Sequence, residues 1–191
     1  RADNDCRWEY DNFEWNLEYR MSTLEVKAIQ APSGFDLTMP AGHIVQTVNT
    51  QTTSTIVGTT TIPYDDTIPQ ITEGFEVLTL NITPKSATNK LLINVVTIVS
   101  TGVNSLPSTN LFVGTTANAL ATTFTHAYGE ADNPLNHKLT HYMTSGSTSE
   151  LTFRVRIGCN QTGSVTLNGR EEVRKMGGAL TSSITIMEVS A

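Results

Sequence analysis

From residue 42 onward the chain is written in short runs of β-branched and apolar residues set between clusters of Gly, Pro, Asn and Ser. The clearest runs are 75–82, 90–100, 150–157 and 182–189. Alternation of apolar and polar positions with a period of two, bounded by turn residues, is the mark of a strand. The same pattern adds 43–48, 53–62, 110–115, 137–144 and 164–167, about eight or nine strand candidates in all. No segment carries a helical period over a useful length. Such spacing predicts an all-β protein, an antiparallel β-sandwich of jelly-roll-like form.

Within the run 90–100, Leu91, Leu92, Ile93, Val95 and Val96 are apolar on both strand faces, so this strand is expected at the centre of a sheet or against a second subunit. Asn168-Gly169 and Ser145-Gly146-Ser147 read as turns, the second joining two strands expected to pair as a hairpin.

The first twenty residues follow another rule. Five of the thirteen aromatic residues lie there (Trp8, Tyr10, Phe13, Trp15, Tyr19), with six acids and three arginines. Phe13, Trp15, Leu17, Tyr19 and Met21 alternate with Glu14, Asn16, Glu18 and Arg20, placing the apolar groups on one face of an extended strand. A helix with Tyr10, Phe13 and Leu17 as its stripe is the alternative. Either face needs cover that so short a segment cannot supply, so Trp8, Tyr10, Phe13, Trp15 and Tyr19 are candidate docking residues. Met21 opens a passage that looks like a natural start, so 1–20 reads as an extension or as a remnant left by cleavage. Alternation at Leu24, Val26 and Ala28 is broken by the turn-like Ala31-Pro32-Ser33-Gly34, and Pro40-Ala41-Gly42 punctuates the chain again. The organisation expected is therefore an extension at 1–20, an extended stalk at 21–41 and a sandwich knob at 42–191.

Composition narrows what such a knob does. Charged residues make up only 16% of the 191 residues, and roughly one residue in six is Thr. Threonine favours extended backbone and keeps a sheet face soluble without charge, a balance typical of extracellular or particle-borne β proteins. The net charge of -6 and twelve scattered Lys and Arg residues argue against nucleic acid. The small group Arg170, Arg174 and Lys175 is diluted by Glu171 and Glu172 and reads as a solvated loop. No apolar run reaches the roughly 20 residues a membrane span needs, and the polar, acidic start does not resemble a signal peptide. Cys6 and Cys159 form no disulfide framework, and Cys159 ends an apolar run as a small buried residue would.

Candidate chemistry is sparse. Asp65, Asp66 and Glu73 offer carboxylates for calcium, but Ile68 and Pro69 interrupt a ligand loop, so a self-bonded turn is expected and no metal is assigned. His137 and His141 would sit about 13 Å apart on a strand, too far to share an ion; they are expected to point outward. No Ser lies in a nucleophile elbow, and the pair Glu130 and Asp132 is the sole hint of a glycosidase. No catalytic residue and no cofactor is expected. The longest polar connections, 102–110 and 125–136, are where a sandwich holds binding groups. His126, Tyr128, Glu130, Asp132 and Asn133 combine an aromatic ring with hydrogen-bonding groups, as sugar recognition requires.

The stretch YDDTIPQITEGFEVLTLNITPKSATNKLLI, Tyr64 to Ile93, resembles a module of bacteriophage tail-fibre and related virion proteins. The opening MSTLEVKAIQAPSG, the passage PAGHIVQ and the closing SSITIMEV are similar to the same family, so the resemblance covers about 21–191 and leaves out 1–20. It implies a jelly-roll-like knob, usually trimeric, at the end of a fibre or on a virion surface. The stretch after Met21 is short for a fibre with its shaft, which favours a small separate virion protein. Scaffold transfers between such modules better than ligand does. The expected function is a homotrimeric fibre or spike tip that touches host-surface glycan, made in the host cytoplasm and carried on the virion surface. The alternatives are a capsid- or tail-decorating protein bound to other virion proteins, and a glycan-active hydrolase.

Overall fold

The computed structural model describes residues 39–126 and 133–191, and nearly all of their regular structure is strand. The strands are β1 Ile44–Thr52, β2 Ile56–Gly58, β3 Phe75–Ile82, β4 Lys90–Thr101, β5 Pro107–Val113 and β6 Ala121–Phe124, followed by β7 Leu135–Thr144, β8 Leu151–Cys159, β9 Val165–Leu167, β10 Gly169–Arg170, β11 Val173–Arg174 and β12 Ser182–Val189. The only helical turn among the described residues is the 3-10 turn Met176–Gly178.

In the first sheet β4 pairs with β12 through 90–96 and with β9 through 99–101, while β7 runs along 90–99. Val99 faces both Leu135 of β7 and Leu167 of β9, so β9 continues the line of β12 on the side of β4 away from β7. In the same way β1 flanks β12 and β2 flanks β9. The second sheet runs β3-β8-β5-β6, and every pairing is antiparallel. Taking β1 with β2 and β12 with β9 as broken single strands, each sheet has four strands in jelly-roll order. The all-β, antiparallel sandwich expected from the pattern is the fold of this protein.

One buried residue splices the broken strands. Asn168 sits at φ 52°, a left-handed conformation that Asn tolerates better than most side chains. Its N–H donates to Ile98 O at 2.9 Å, its Nδ2 donates to Thr52 O at 2.9 Å and Ser54 O at 3.2 Å, and its Oδ1 accepts from Ser182 Oγ at 2.7 Å. Asn168-Gly169 is thus a junction inside the sheet. The hairpin that follows turns instead at Glu171-Glu172, between β10 and β11.

The inner faces close on one core, with Leu91, Ile93, Val95 and Val99 of β4 and Ile184 and Ile186 of β12 meeting Leu80, Ile82, Leu111, Phe153, Val155 and Ile157 of the other sheet. Phe153 is fully buried, and cutting such a ring back to Ala costs about 3–5 kcal/mol. The strand with two apolar faces, β4, lies at the centre of its sheet. Its outward Leu92 stands in register with Met187 of β12 on one side and Tyr142 of β7 on the other. Leu92 and Met187 are half-buried, and Tyr142 is 56% exposed. Ile44 and Val189 pair farther along the same sheet, with Ile44 exposed.

Several expectations are corrected. The turn at 145–147 does not close a hairpin, because β7 pairs with β4 while β8 pairs with β3 and β5 in the other sheet. Its polar groups are taken by the 86–89 loop, with Ser145 N donating to Asn89 O at 2.9 Å and Ser145 Oγ to Ser86 O at 2.6 Å. Strand β5 begins at Pro107, so the last four residues of 102–110 are strand, and β6 was not foreseen. His137 points inward. Its Nδ1 lies 2.9 Å from Thr109 Oγ1, which is 2.8 Å from Thr97 Oγ1, giving a buried polar chain between the sheets. His141 shares that inward parity and is half-buried. Cys159 is buried and unpaired, as its place at the end of an apolar run predicts.

Candidate functional site

The outer face of β5 is covered. Ser108, Asn110 and Phe112 point away from the core yet are buried, because the connection between β2 and β3 crosses this face. That connection is held by Ile62 N donating to Cys159 O at 2.9 Å, Ile71 N to Ala117 O at 2.7 Å and Ala119 N to Pro69 O at 2.9 Å. Between it and the β5–β6 ribbon lies a cleft of about 210 Å³. Ile62, Pro63, Tyr64, Asp65, Thr67 and Pro69 form its wall, and Leu106, Ser108, Thr122 and Phe124 form its floor.

Two aromatic rings mark its mouth. Tyr64 is 60% exposed and Phe124 49%, and their centroids lie 5.1 Å apart with the planes tilted by 60°. A tilted pair at this distance is a favourable aromatic contact that still leaves ring faces wet.

The carboxylate and the threonine and serine hydroxyls of the cleft have traceable partners. Asp65 Oδ1 accepts from Thr67 N at 2.8 Å and Thr67 Oγ1 at 2.5 Å. The Thr67 hydroxyl and then its N–H hold the Asp65 carboxyl below the usual carboxylate range, so it is ionised at neutral pH. Thr122 Oγ1 donates to Asn110 Oδ1 at 2.8 Å, and Asn110 Nδ2 donates to Ser108 Oγ at 3.0 Å. Glu73 serves the turn, its Oε2 accepting from Gln70 N at 2.8 Å. Arg156 secures the next step, Nε donating to Glu73 O and Nη2 to Gly74 O, both at 2.8 Å. Asp65 and Glu73 thus act as turn-closing acceptors.

Of the residues singled out for sugar recognition, His126 lies two positions beyond Phe124, exposed, and Asn133 lies half-buried at the far end of the same connection. Tyr128, Glu130 and Asp132 lie outside the described residues, as do Trp8, Tyr10, Phe13, Trp15 and Tyr19. The sequence reading missed Tyr64, Phe124, Ser108 and Thr122. Tyr64 opens the DDTIPQ motif and Phe124 precedes His126 by two, but only the folded connection brings the two rings together. A second depression, lined by Pro134, Arg170, Glu171, Lys175, Met176 and Leu180, carries basic groups.

No protein family and no curated protein matches the sequence. Among solved structures the chain is similar to Eiger TNF from S. frugiperda, at 11% identity and a TM-score of 0.45 over 75% of this chain and 93% of that one. It is also similar to the sugar-binding C-terminal domain of EclA, at 13% identity and a TM-score of 0.32 over 76% and 89%. The VP2 subviral particle of infectious bursal disease virus gives 12% identity and a TM-score of 0.35 over 87% of this chain and 42% of that one. Likenesses this distant carry no argument about function, and the fold class rests on the strand pairing described above. Among the described residues no helix is long and apolar enough to cross a membrane.

Proposed function

We propose that the chain is a structural protein of a bacteriophage particle, a homotrimer whose sandwich knob forms a fibre or spike tip and touches host-surface glycan. The carrying observation is the cleft beneath Tyr64 and Phe124, two wet aromatic rings beside a carboxylate and hydroxyls. Phe124 at its mouth ends β6 two positions before His126, one of the binding residues named from sequence. The tail-fibre-like passage Tyr64 to Ile93 supplies the cleft wall up to Pro69. No catalytic role, nucleic acid or membrane insertion belongs to this reading. The protein resides on the virion surface, with 21–41 as stalk and 1–20 as docking segment. A glycan array and a host-cell adhesion assay test it, and a protein that binds neither glycans nor cells is not a receptor-contacting tip.

Trimerisation is supported by the row Met187, Leu92 and Tyr142 on the outer face of the first sheet, an apolar stripe that a copy would cover. Light scattering that reports a stable monomer rejects it.

A second reading rests on the aromatic stripe from Trp8 to Tyr19: a decorating protein that uses this segment to dock on other virion proteins, with no receptor role. Deleting 1–20 then abolishes incorporation into particles, and unchanged incorporation refutes the docking.

A further inference from the structure

We infer that the Tyr64–Phe124 cleft holds one ring of a neutral sugar, a pyranose without carboxylate, sulfate or phosphate. This rests on the glycan-contacting reading above and names the class of glycan.

Three observations carry it. The first is size: about 210 Å³ falls below the roughly 300–1,000 Å³ of clefts that enclose drug-sized ligands. A single ring fits, with the rest of a chain outside. The second is shape. Tyr64 and Phe124 present half-exposed ring faces at a 60° tilt, and the C–H face of a pyranose is the apolar surface such rings stack against in water.

The third is the hydrogen-bond polarity of the cleft. Thr67 and Thr122 spend their protons inward, on Asp65 Oδ1 and Asn110 Oδ1, so each turns only lone pairs to a ligand. Asp65 adds carboxylate acceptors. Among the lining hydroxyls, Ser108, whose Oγ already accepts from Asn110 Nδ2, and the Tyr64 phenol at the mouth are the two with a proton to give. A cleft offering mainly acceptors recognises a ligand that brings donors, which ring hydroxyls do. It repels one that brings a negative charge, because no Lys, Arg or His is among its lining residues and its own ionised group is an acid. The basic side chains an acidic sugar would seek, Arg170 and Lys175, line the other depression.

The full chain is titrated, with amide signals followed by NMR, against methyl glycosides of glucose, galactose, mannose, rhamnose and N-acetylglucosamine. N-acetylneuraminic acid and glucuronic acid are the acidic probes. At least one neutral glycoside is expected to shift the signals of Thr67, Thr122 and Phe124 saturably, with a dissociation constant on the order of 1 mM. The acidic probes leave them still. Phe124→Ala and Tyr64→Ala each weaken this binding tenfold or more while the melting temperature holds, since both rings are half-exposed. Asp65→Asn weakens it without admitting an acidic probe more tightly than the neutral one.

Tighter binding of an acidic probe in this cleft, neutral binding indifferent to Phe124→Ala, or silence across the neutral panel overturns the inference. The parent reading fails separately. If cells and glycan arrays are bound equally by Phe124→Ala, the knob still contacts glycan but elsewhere; if neither is bound by the unaltered protein, the parent reading falls.

Discussion

Asn89 Nδ2 lies 2.6 Å from Glu188 Oε1, a hydrogen bond between the end of the 83–89 loop and the last turn-ward residue of the core face of β12. The same oxygen accepts from Lys85 N at 2.8 Å and Ser86 N at 3.3 Å, and Oε2 accepts from Gln46 Nε2 at 2.6 Å. Glu188 is fully buried, which pushes its carboxyl up, but the bonds from Asn89, Gln46, Lys85 and Ser86 together outweigh burial and leave it lowered. The tail-fibre-like passages ITPKSATNK and SSITIMEV therefore meet at one carboxylate.

Glu188→Gln keeps the shape but sets an amide donor against the Gln46 donor, and is expected to cost about 1–3 kcal/mol. Glu188→Leu orphans four donors and costs more. Chemical denaturation checks both; a Leu variant no less stable than Gln would show that the donors find water instead.

His137 predicts an acid limb in stability. Burial lowers its pKa to about 4 from 6.5, because the folded core has no acceptor for a second ring proton. Below pH 6.5 the unfolded chain takes up that proton and the folded one does not, so stability falls with pH down to about 4 and levels there. The loss is about 2 kcal/mol at pH 5 and about 3 kcal/mol in full. Glu188, lowered from 4.5, loses its stabilisation as pH falls through about 4.5 and below, so it adds little at pH 5. Denaturation at pH 7.5 and 5 should show the drop in the parent and not in His137→Gln; an equal drop in both assigns it elsewhere.

Gly74→Ala is expected to be strongly destabilising. Gly74 has φ 59°, and an added Cβ would stand 2.5 Å from the carbonyl oxygen of Ile157, backbone that cannot step aside. Left-handed strain alone costs about 1–3 kcal/mol. Because Arg156 ties Glu73 and Gly74 to β8, the variant should also loosen the cleft wall, read as faster amide exchange through 61–71.

The Glu171-Glu172 hairpin runs the other way. Both residues have positive φ, 54° and 61°, where Asn-Gly is preferred. The ion pairs of Glu171 with Arg170 at 3.4 Å and Lys175 at 4.0 Å are exposed and contribute little. The double change Glu171→Asn, Glu172→Gly should stabilise by about 1 kcal/mol, raising the melting temperature by about 2–4 °C. No rise would mean that the ion pairs matter more than the backbone.

Period-two alternation made β3, β8 and β12 readable because one face of each is core and the other is not, while β4 was legible as a long apolar run. It could not reveal β6, whose four residues Ala121–Phe124 are too short to show a period. It misplaced the start of β5, reading it from 110, because that strand is buried on both faces and its Pro107 and Ser108 look like loop. His137 looked like surface because a sequence does not display the hydroxyl waiting across the sandwich at Thr109. For the site, polarity pointed to the connection that contains His126, which begins two positions after Phe124. The cleft itself is made by contact between Tyr64 and Phe124, sixty positions apart, and no local pattern encodes it.

The cover over β5 divides labour within one small recess. Its base is woven into the four-stranded sheet β3-β8-β5-β6, whereas its rim from Pro63 to Pro69 is held by a few backbone bonds, the Asp65–Thr67 turn and one ring contact. Substitutions along that rim would thus reshape the recess while the plate beneath stays as it was.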